Sequence, residues 1–557
     1  MNKTIFSYQQ RVSFLQQLKS ETFDIIVIGG GITGAGIALD AAARGLKTAL
    51  IEKKDFASGT SSRSTKLIHG GLRYLKQLQI HVVAETGRER AIVHRLAPHL
   101  VVPEKMMLPV YKGLSTPKWM ISLGLWMYDF LAGVKGDDRR KMLNKQQTLA
   151  VEPLLPAKNL KGSGYYAEYM TDDARLTVEV IKTAVKQGAI CLNYVESKAF
   201  LYDDKGKING LRCRDHVHGD EFDIAGKFVV NATGIWVDDL RKADHSLSGK
   251  HLLITKGVHL VFDRKKLPLH NPLYFEIPDG RMIFMIPRNG VSYIGTTDTP
   301  YTANKENIPV ENEDVEYLLH AFRDLFPDFK LEKEDIVAAW AGLRPLIYQE
   351  GKSASEISRK DEIFVSPAGL ISMAGGKLTG YRRMAEKTVD MIVKKAGKEF
   401  RQHIKKKSVS RNIPLTDSSV GSLDEVKTFA EKLYLQFQQA GYKKEDVFQM
   451  VFKYGMSARD ILETAVQEKT GDTKENLMLA ELNFCLEKEM VFKPLDFLER
   501  RSSRLLFETD TVRAYYPAVL EKFRRVFQWD EKHYLAEKKE VERRLAEVEL
   551  KDIKRDA

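Results

Sequence analysis

Residues 24–52, DIIVIGGGITGAGIALDAAARGLKTALIE, contain the pattern that most clearly indicates the fold. The run DIIVIG is apolar and rich in Ile and Val, which is typical of a buried parallel strand. Gly29, Gly31 and Gly34 then form a G-x-G-x-x-G turn that opens a helix of small residues, and this helix ends at a glycine. The run KTALIE predicts a second strand that ends at Glu52. Because strand, glycine turn, helix, strand and acid follow in this order, the stretch predicts a dinucleotide-binding unit.

Each part of this unit has a physical role in holding a dinucleotide. Gly29 allows the tight turn, Gly31 lets the backbone approach a pyrophosphate, and Gly34 lets the helix pack closely on the strand. The N-terminus of the helix offers N–H groups and partial positive charge to the phosphates. Glu52 lies 18 residues after Gly34 and is placed to bind the ribose hydroxyls. The predicted cofactor contacts of this region are Gly29, Gly30, Gly31, Ile32, Thr33, Gly34, Glu52 and Lys53.

The length and composition of the chain limit its class. A chain of 557 residues is too long for a single hydrophobic core, so two or three domains are expected. A hydrophobic content of 43% and a charged content of 29% are typical of a soluble globular protein. The cysteines are scattered and no CxxC pattern occurs, which favours a reducing cytosolic compartment. We expect neither a signal peptide nor a membrane-spanning helix, and no pattern indicates a metal site.

The net charge of +12 is not concentrated in the C-terminal region. Residues 401–557 contain 30 Lys and Arg against 28 Asp and Glu, so the excess lies in the first 400 residues, which also contain the glycine motif. A positive field there suits an anionic small substrate, an anionic membrane surface or nucleic acid, and a solvated basic surface is the plain alternative. Since no RNA-binding module and no interleaved basic and aromatic run occurs, we expect no nucleic-acid partner.

Motifs outside the first unit indicate the cofactor and the family. No second nicotinamide-type half follows the unit, which favours FAD over NAD. The stretch KFVVNATG (227–234) predicts an apolar strand that ends in an Ala-Thr-Gly turn. Together the two motifs resemble the glutathione-reductase-type FAD fold, in which such a turn passes near the adenosine side of FAD. The stretches STKLIHGGLRYL (64–75), GLRPL (342–346) and GGKLTGYR (375–382) narrow the resemblance to FAD-dependent glycerol-3-phosphate dehydrogenases.

The resemblance implies the fold class and the domain organisation. We expect an α/β glutathione-reductase-type FAD-binding fold with an antiparallel-sheet substrate domain and an all-α C-terminal domain. Residues 251–300 alternate strands and turns, and the chain beyond residue 417 shows helical periodicity. The C-terminal region offers no chemical motif, so it would stabilise the protein or contact a partner, and a homodimer stays open. The expected domains are an FAD-binding domain at 20–75, 160–250 and 340–400, a substrate domain at 76–159 and 251–339, and a helical domain at 401–557.

The hydroxyl-rich stretch SGTSSRSTKLIHGGLRYL (58–75) follows the dinucleotide unit directly. Its first half is placed to wrap the pyrophosphate and ribityl chain, and its glycine pair lets the backbone approach the flavin ring. The stretch GGKLTGYR, a glycine pair before a helix, resembles the final FAD contact, where N–H groups stabilise negative charge on the flavin. The further predicted FAD contacts are Thr60, Ser61, Ser62, Ser64, His69, Gly70, Gly71, Ala232, Thr233, Gly234, Gly375, Gly376, Lys377, Leu378 and Thr379.

The resemblance also implies the reaction, which is oxidation of sn-glycerol 3-phosphate to dihydroxyacetone phosphate by hydride transfer to flavin N5. A phosphomonoester needs a cluster of cations, and the forked guanidinium group suits phosphate. The hydroxyl proton needs a base within about 3 Å, for which His259 is the first candidate and His69 the second. Arg344 and Lys377 are expected near the reacting carbon, so these four residues are the predicted catalytic set. The predicted substrate-binding residues are Arg73, Tyr74, His259, Arg344, Arg359 and Lys377.

The electron acceptor and the location follow from the same resemblance. The family implies a membrane quinone as acceptor, and hence a cytoplasmic protein in peripheral contact with the inner face of the cell membrane. Residues 118–135, KWMISLGLWMYDFLAGVK, are the most membrane-like stretch. At this length we expect a core helix, with a helix lying in a bilayer surface as the alternative. Two other activities stay open: a glycerol-3-phosphate oxidase that uses dioxygen, and an FAD-dependent amino-acid oxidase.

Overall fold

The strands of the protein form two sheets. The computed structural model describes residues 6–69, 80–113, 117–132, 136–348, 361–397, 404–415, 421–468 and 470–555. In this part of the chain, the first sheet has the strand order β17-β18-β10-β1-β2-β7, and β8 joins it through β9, which pairs with β10. Numbered in chain order, its strands are β1 (Thr22–Ile28), β2 (Thr48–Ile51), β7 (Ile190–Leu192), β8 (Val195–Tyr202), β9 (Ile208–Asp215), β10 (Glu221–Asn231), β17 (Asp361–Val365) and β18 (Ile371–Gly375).

The centre of the first sheet is the predicted dinucleotide unit. β1 pairs in parallel with β2 and β10, with Ile26 opposite Ala49 and Val229. The second half of β1, residues 25–28, is continuously apolar and buried because helices cover both faces of the sheet. The helices that accompany this sheet are α1 (Arg11–Ser20), α2 (Ile32–Ala43), α6 (Asp173–Lys186), α7 (Val237–Ala243) and α9 (Tyr381–Ala396).

The second sheet is mostly antiparallel and lies over the glycine turn of the first. Its strand order in the described residues is β15-β11-β14-β13-β12-β4-β6-β3, with β16 paired to β11 and β5 to β6. Its strands are β3 (Leu67–Ile68), β4 (Val102–Tyr111), β5 (Lys141–Leu143), β6 (Leu160–Met170), β11 (Leu252–Asp263), β12 (Leu273–Glu276), β13 (Met282–Arg288), β14 (Val291–Gly295), β15 (Thr299–Pro300) and β16 (Ile336–Ile347).

Strand β11 shows how the second sheet separates a core face from a face towards the first unit. Val258, Leu260 and Phe262 alternate onto one face and join a core with helix α8 (Asn312–Leu325). His259, between them in sequence, points to the opposite face, where it meets residues of the stretch that follows β2. In the motif KGVHLVF, alternate residues therefore pack in the core, and His259 lies on the face that is available for chemistry.

Besides the two-residue strand β3, which pairs with β6 although it lies in the expected FAD-binding segment 20–75, two strands belong to a different sheet from the one that the sequence led us to expect. Residues 160–170, which we assigned with the FAD-binding domain, form β6, and β6 pairs with β4 of the second sheet. Residues 340–347, assigned likewise, lie in β16, which pairs with β11 from Leu252↔Ile347 to Phe262↔Ile336. We therefore propose that both segments belong to the substrate-side unit, since their hydrogen bonds lie in its sheet.

Helices α3 (Ile80–Leu96), α4 (Lys118–Ala132) and α5 (Lys145–Val151) lie beside the second sheet. Helix α4 is the membrane-like stretch, and the expectation of a core helix holds for one face only. Ile121, Leu125 and Tyr128 are buried, and a Cβ at Gly164 of β6 would lie 2.6 Å from Leu125. The opposite face is exposed. Within the described residues, no helix combines the length and the apolarity that crossing a bilayer requires.

The C-terminal region is helical, as predicted. Its core is continuous with the second sheet, because Tyr293 and Trp340 of that sheet cluster with Phe507 and Phe523. The expected fold class, with its two sheets and a helical C-terminal unit, is confirmed. The elements of this unit are α10 (Leu423–Phe437), α11 (Lys444–Tyr454), α12 (Ala458–Gln467), α13 (Thr473–Lys488), a π-helix (Asp496–Arg501), α14 (Arg504–Phe507), α15 (Thr509–Phe527), α16 (Glu531–Val548) and α17 (Lys551–Arg555).

Candidate active site

The glycine turn between β1 and α2 leaves no room for side chains. Gly29 has a φ of +112°, and a Cβ there would lie 2.6 Å from the carbonyl oxygen of Ala232. A Cβ at Gly34 would lie 1.9 Å from the carbonyl oxygen of Gly29, so only glycine lets the helix start so close to the strand. Gly31 is the N-cap of α2 and has no side chain to cover the helix end. This cradle at a helix N-terminus fits the pyrophosphate of a dinucleotide.

Glu52, at the end of β2, is fixed by the same turn. Its carboxylate accepts hydrogen bonds from the backbone N–H groups of Gly30, at 2.7 Å, and Lys54, at 2.9 Å. Burial raises the pKa of Glu52, and these two N–H groups oppose the shift by stabilising the charged form. The acid that we predicted to bind ribose is therefore held in one orientation by the glycine turn.

A cavity of about 420 Å³ joins the glycine turn to the second sheet. Gly30, Gly34 and Ser62 do not line it: the first two form the packed base of the turn, and Ser62 is buried and donates to the carbonyl oxygen of Gly59. Gly70 and Gly71 lie outside the described residues. The predicted cofactor contacts that line the cavity are Gly29, Gly31, Ile32, Thr33, Glu52, Lys53, Thr60, Ser61, Ser64, His69, Ala232, Thr233, Gly234, Gly375, Gly376, Lys377, Leu378 and Thr379.

The hydroxyl groups after β2 are used within the protein as well as towards the cavity. Ser61 Oγ accepts the N–H of Ile32 at 2.9 Å, and Thr60 Oγ1 donates to the carbonyl oxygen of Leu343 at 2.7 Å. The first bond ties the hydroxyl-rich stretch to the start of α2, and the second ties it to β16 of the other sheet. This stretch is thus the physical connection between the two units that form the cavity.

Two further chain segments complete the wall on the side of the first sheet. Asn231, at the end of β10, donates to the carbonyl oxygen of Val237 and accepts from the Thr233 hydroxyl at 2.7 Å, which fixes the Ala-Thr-Gly turn. The glycine pair Gly375–Gly376 at the end of β18 has positive φ angles and leads into a short 3-10 turn and then α9. Thr379 in that turn donates to the carbonyl oxygen of His69 at 3.1 Å. The last predicted motif and the hydroxyl-rich stretch therefore meet at the cavity.

His259 lies in the wall formed by the second sheet. Its ring stacks on Trp340 with centroids 4.6 Å apart, and its Nε2 lies 3.0 Å from Thr65 Oγ1. No described residue forms a hydrogen bond with its Nδ1. Burial, and then the positive charges of Arg344 and Lys66, hold the pKa of His259 well below its usual value. The imidazole is therefore neutral at neutral pH, which is the form that accepts a proton.

Arg344 lies on the neighbouring strand opposite Thr255, with its guanidinium group over Gly257, and is held by several oxygen atoms. Its Nη1 donates to the carbonyl oxygen of Thr297 at 3.0 Å and to Asp298 Oδ1 at 3.1 Å, and its Nη2 donates to Thr296 Oγ1 at 2.7 Å. The guanidinium position is therefore set before any substrate binds.

The predicted catalytic and substrate residues are brought together as far as they are described. His259, Arg344, Lys377 and His69 come from four separate segments, and all of them line the one cavity. Arg73, Tyr74 and Arg359 lie outside the described residues, so their predicted contact with the substrate phosphate stays a prediction.

Several residues at this site were not found from the sequence. Thr65 and Trp340 contact His259, Asp298 holds Arg344, and Arg63 and Trp236 line the cavity. The hydroxyl run contained Arg63 and Thr65, but nothing in the run distinguished them from their neighbours, and Trp236 follows the predicted Ala-Thr-Gly turn without a signal of its own. Trp340 and Asp298 have no local signal, because their roles depend on segments that meet across long sequence separations.

The fold and the cavity together define a flavin-dependent oxidoreductase. The profile described as "FAD dependent oxidoreductase" matches residues 24–382, and that described as "C-terminal domain of alpha-glycerophosphate oxidase" matches residues 408–534. The cofactor of this chain is accordingly FAD.

Comparison with individual proteins narrows the class. The chain is 48% identical over 532 residues to the aerobic glycerol-3-phosphate dehydrogenase of Bacillus subtilis, which covers 94% of this chain and 95% of that one. It is 45% identical over 542 residues to the enzyme of that name from Staphylococcus aureus, with 97% of each chain covered. The crystal structure of the glycerol-3-phosphate dehydrogenase from Bacillus halodurans complexed with FAD superposes with a TM-score of 0.83, at 39% identity and 98% coverage of each chain. The chain belongs to the family of aerobic glycerol-3-phosphate dehydrogenases.

Proposed function

We propose that the protein oxidises sn-glycerol 3-phosphate to dihydroxyacetone phosphate. The main support for this proposal is that a dinucleotide cradle, a neutral histidine and fixed cations line the same cavity. The names of the relatives, at 45–48% identity over nearly the whole chain, support the same substrate. When bound, FAD supplies the hydride acceptor. The residues of the protein then remove the hydroxyl proton and position the substrate.

Proton removal is assigned to His259. A neutral imidazole beside two cations cannot easily take up a proton from solvent, but a substrate hydroxyl whose developing charge faces Arg344 gives up its proton more readily. Thr65 lines the cavity and its Oγ1 lies 3.0 Å from Nε2 of His259, so it fixes the ring orientation. His69 is the second candidate for the base. Arg344 and Lys377 stabilise the developing alkoxide, and Arg73, Tyr74 and Arg359 bind the phosphate in this proposal.

Substrate choice tests this proposal against the amino-acid oxidase alternative. The purified holoprotein should turn over sn-glycerol 3-phosphate at least about a hundredfold faster, in kcat/KM, than glycine or sarcosine, because a cation cluster discriminates a dianion from a zwitterion. Glycerol and glycerol 2-phosphate are the matched controls for the phosphate and its position. Faster turnover of glycine or sarcosine would remove the assignment.

We further propose that the electrons pass to a membrane quinone and that the protein acts at the cytoplasmic face of the cell membrane. The relatives are called aerobic dehydrogenases, which favours this acceptor over dioxygen. Turnover with a water-soluble quinone analogue should leave peroxide well below stoichiometric yield in air. Peroxide at near-stoichiometric yield would establish the oxidase instead.

The exposed face of α4 supports the membrane contact. Trp119, Leu123, Trp126 and Phe130 are spaced by four, three and four residues, so they form a single stripe along the helix. We call these four residues the α4 stripe. Each is at least half exposed, and Phe130 is 73% exposed. An exposed stripe of this size suits insertion among lipid headgroups and acyl chains.

The buried side of α4 holds the helix rigidly under this stripe. The hydroxyl of Tyr128 donates to Glu168 Oε1 at 2.7 Å and accepts from Arg90. Arg140 donates to Ser122 at 3.2 Å, so the segment after the helix returns along it and brings exposed cations alongside, namely Arg139 and Lys141. An apolar stripe bordered by cations matches an anionic lipid surface.

Vesicle sedimentation tests the membrane contact. The affinity of the variant Trp126→Ser/Phe130→Ser for vesicles of phosphatidylglycerol and phosphatidylcholine should be at least about tenfold lower than that of the wild type. The reason is that the substitutions remove two aromatic rings that would insert into the bilayer. Leu435→Ser is the control, since Leu435 is 64% exposed on α10, outside the stripe. Equal binding of wild type and stripe variant would contradict the role of α4, and equal loss in both variants would show a non-specific effect.

A further inference from the structure

The segment from Lys53 to Lys66, which we call the cofactor loop, is bound on two sides. On one side it contacts the glycine turn: Ala57 N–H donates to the carbonyl oxygen of Gly30 at 3.0 Å, and Ser61 accepts from Ile32. A Cβ at Gly30 would lie 2.7 Å from Phe56, so the two segments are in close contact. The conformation of this loop therefore sets the shape of the cofactor cavity.

On its other side the cofactor loop contacts the C-terminal unit through Asp55. Oδ2 of Asp55 accepts from Arg500 Nε at 2.6 Å and Arg501 Nη1 at 2.7 Å, and Oδ1 accepts from Arg501 Nη2 at 2.9 Å. Asp55 and Arg501 are fully buried. The two guanidinium groups hold the pKa of Asp55 at about 2 in spite of its burial. A forked pair of this kind fixes both distance and orientation.

Both arginines come from the π-helix Asp496–Arg501, which is itself tied to the first sheet. Asp496 accepts from the hydroxyl of Tyr194 at 2.6 Å and from Arg500 Nη2 at 2.7 Å. Asn193 donates to Asp55 Oδ1 at 3.0 Å from the strand end beside it. π-helical turns cost stability and occur often where side chains must be placed for function.

The same part of the C-terminal unit supports the wall that contains His259. Phe507 packs edge-on against Trp340, with centroids 5.8 Å apart, and Trp340 stacks on His259. Phe507 also contacts Tyr293, whose hydroxyl donates to the carbonyl oxygen of Thr65 in the cofactor loop at 3.0 Å. The unit thus reaches the cavity from two directions, although none of its residues lines the cavity in the described chain.

We propose that the C-terminal helical unit is a positioning element of the cofactor site, in which Arg500 and Arg501 hold Asp55 and thereby keep the cofactor loop in its FAD-binding conformation. The inference rests on the proposed function in one respect, namely that FAD is the cofactor, and it does not depend on which substrate is oxidised. Without the pair, the loop samples other conformations, and the apparent affinity for FAD falls in proportion to the population of the competent one.

A second buried pair provides the matched control. Arg504 lies three residues after Arg501, is also buried, and pairs with Glu481 and Glu508. All three of these residues belong to the C-terminal unit, so the pair has no direct contact with the cofactor loop. The substitutions Arg501→Met and Arg504→Met therefore remove the same group from neighbouring positions. Each takes one cationic partner from a buried carboxylate and leaves one, since Asp55 keeps Arg500 and Glu481 keeps Lys453.

The test is the dissociation constant of FAD, measured by flavin fluorescence on apoprotein of each full-length variant. We expect Arg501→Met to raise this constant about tenfold or more and Arg504→Met to leave it within about twofold, even where both lower the thermal midpoint alike. The KM for substrate of the FAD-saturated Arg501→Met enzyme should stay unchanged. Equal weakening of FAD binding in both variants, or none in Arg501→Met, would overturn the proposal.

A milder variant keeps the test decisive if Arg501→Met does not fold. Arg501→Lys retains the charge but loses the fork, so it should fold and give an intermediate dissociation constant. Amide hydrogen exchange in the cofactor loop of Arg501→Lys should then be faster than in the same loop of the wild type. Exchange around Arg504 should be the same in both proteins. An unchanged constant in Arg501→Lys, with unchanged exchange in the loop, would count against the proposal. A shifted FAD constant without oxidation of glycerol 3-phosphate would instead reject the proposed substrate.

Discussion

At the scale of single residues, the site depends on side chains that other side chains hold in place. His259 is set by Thr65 and Trp340, and Arg344 by Thr296 and Asp298. Such contacts reduce the reorganisation that the reaction would otherwise require. The side chains that take part in the reaction are therefore held in position more firmly than isolated surface side chains would be.

Replacing His259 with Ala should slow the rate of flavin reduction by about 10²–10⁴-fold, because a positioned base contributes that much. The affinity for substrate and the flavin spectrum should change little. Stopped-flow absorbance with excess glycerol 3-phosphate measures this rate. His69→Ala is the comparison, and a larger loss there than in His259→Ala would transfer the role of base to His69.

Replacing Arg344 with Ala should abolish turnover, with a loss of at least about 10²-fold, while FAD stays bound. The guanidinium group faces the cavity from β16, whereas the glycine cradle lies in the other unit. Steady-state kinetics and the visible spectrum measure the two properties separately. Loss of FAD from the purified variant would mean that Arg344 supports the cofactor and not the substrate.

At the scale of elements, the glycine turn and the sheets differ in how well the sequence predicts them. The strand, turn, helix and strand of residues 24–52 are local, so their order in the sequence already indicates the fold. The membership of β6 and β16 is not local: their partners β4 and β11 lie about 50 or more residues away, and strand pairing at that distance leaves no periodic signal. The sequence therefore predicts the cofactor half of the site better than its opposite wall.

Helix α4 shows a second limit of the sequence. Its buried residues and its exposed residues are both apolar, so periodicity alone does not separate a core helix from a surface helix. Only the packing of Leu125 on β6 decides which face is covered.

The contact of α2 with the glycine turn gives a prediction at this scale. Gly34→Ala should abolish FAD binding, because the added Cβ would lie 1.9 Å from the carbonyl oxygen of Gly29 and the helix would have to move. Purified protein should lack visible flavin absorbance. Gly124→Ala is the control, since a Cβ at Gly124 in α4 meets nothing within 4 Å. Normal flavin content in Gly34→Ala would contradict the assigned cradle.

At the scale of the whole molecule, the C-terminal unit is part of the structural support of the site. Asp55 and Arg501 are 446 residues apart in sequence, yet they form one of the most buried ion pairs of the described chain. No sequence pattern indicates that two residues so far apart form an ion pair. The sequence of the C-terminal unit therefore did not predict a role at the cofactor site.

The pH dependence of stability is also a property of the whole molecule. Burial lowers the pKa of His99 to about 4, and the pKa of His259 shifts in the same direction. Below pH 6.5 the unfolded chain binds a proton at His99 that the folded chain does not, so protonation of His99 lowers the free energy of unfolding by about 2 kcal/mol from pH 7 to pH 5. Asp55 and Glu489, whose pKa values are about 2, lose their contribution only at lower pH.

The substitution His99→Gln tests the contribution of His99 to this pH dependence. The thermal midpoint of wild type should fall between pH 7 and pH 5, and the fall should be smaller in the variant, because one proton-linked site is gone. The flavin content at pH 7 should be the same in both proteins. An identical fall in wild type and variant would show that His99 is not the source.

An anaerobic titration of the holoprotein with sn-glycerol 3-phosphate tests the proposed function most simply. The oxidised flavin absorbance should bleach with one equivalent of substrate per flavin, adjusted for the reaction equilibrium, and dihydroxyacetone phosphate should form in equal amount. Reoxidation by a quinone analogue should then restore the spectrum. A flavin that stays oxidised with excess sn-glycerol 3-phosphate, while another substrate reduces it, would contradict the proposed function.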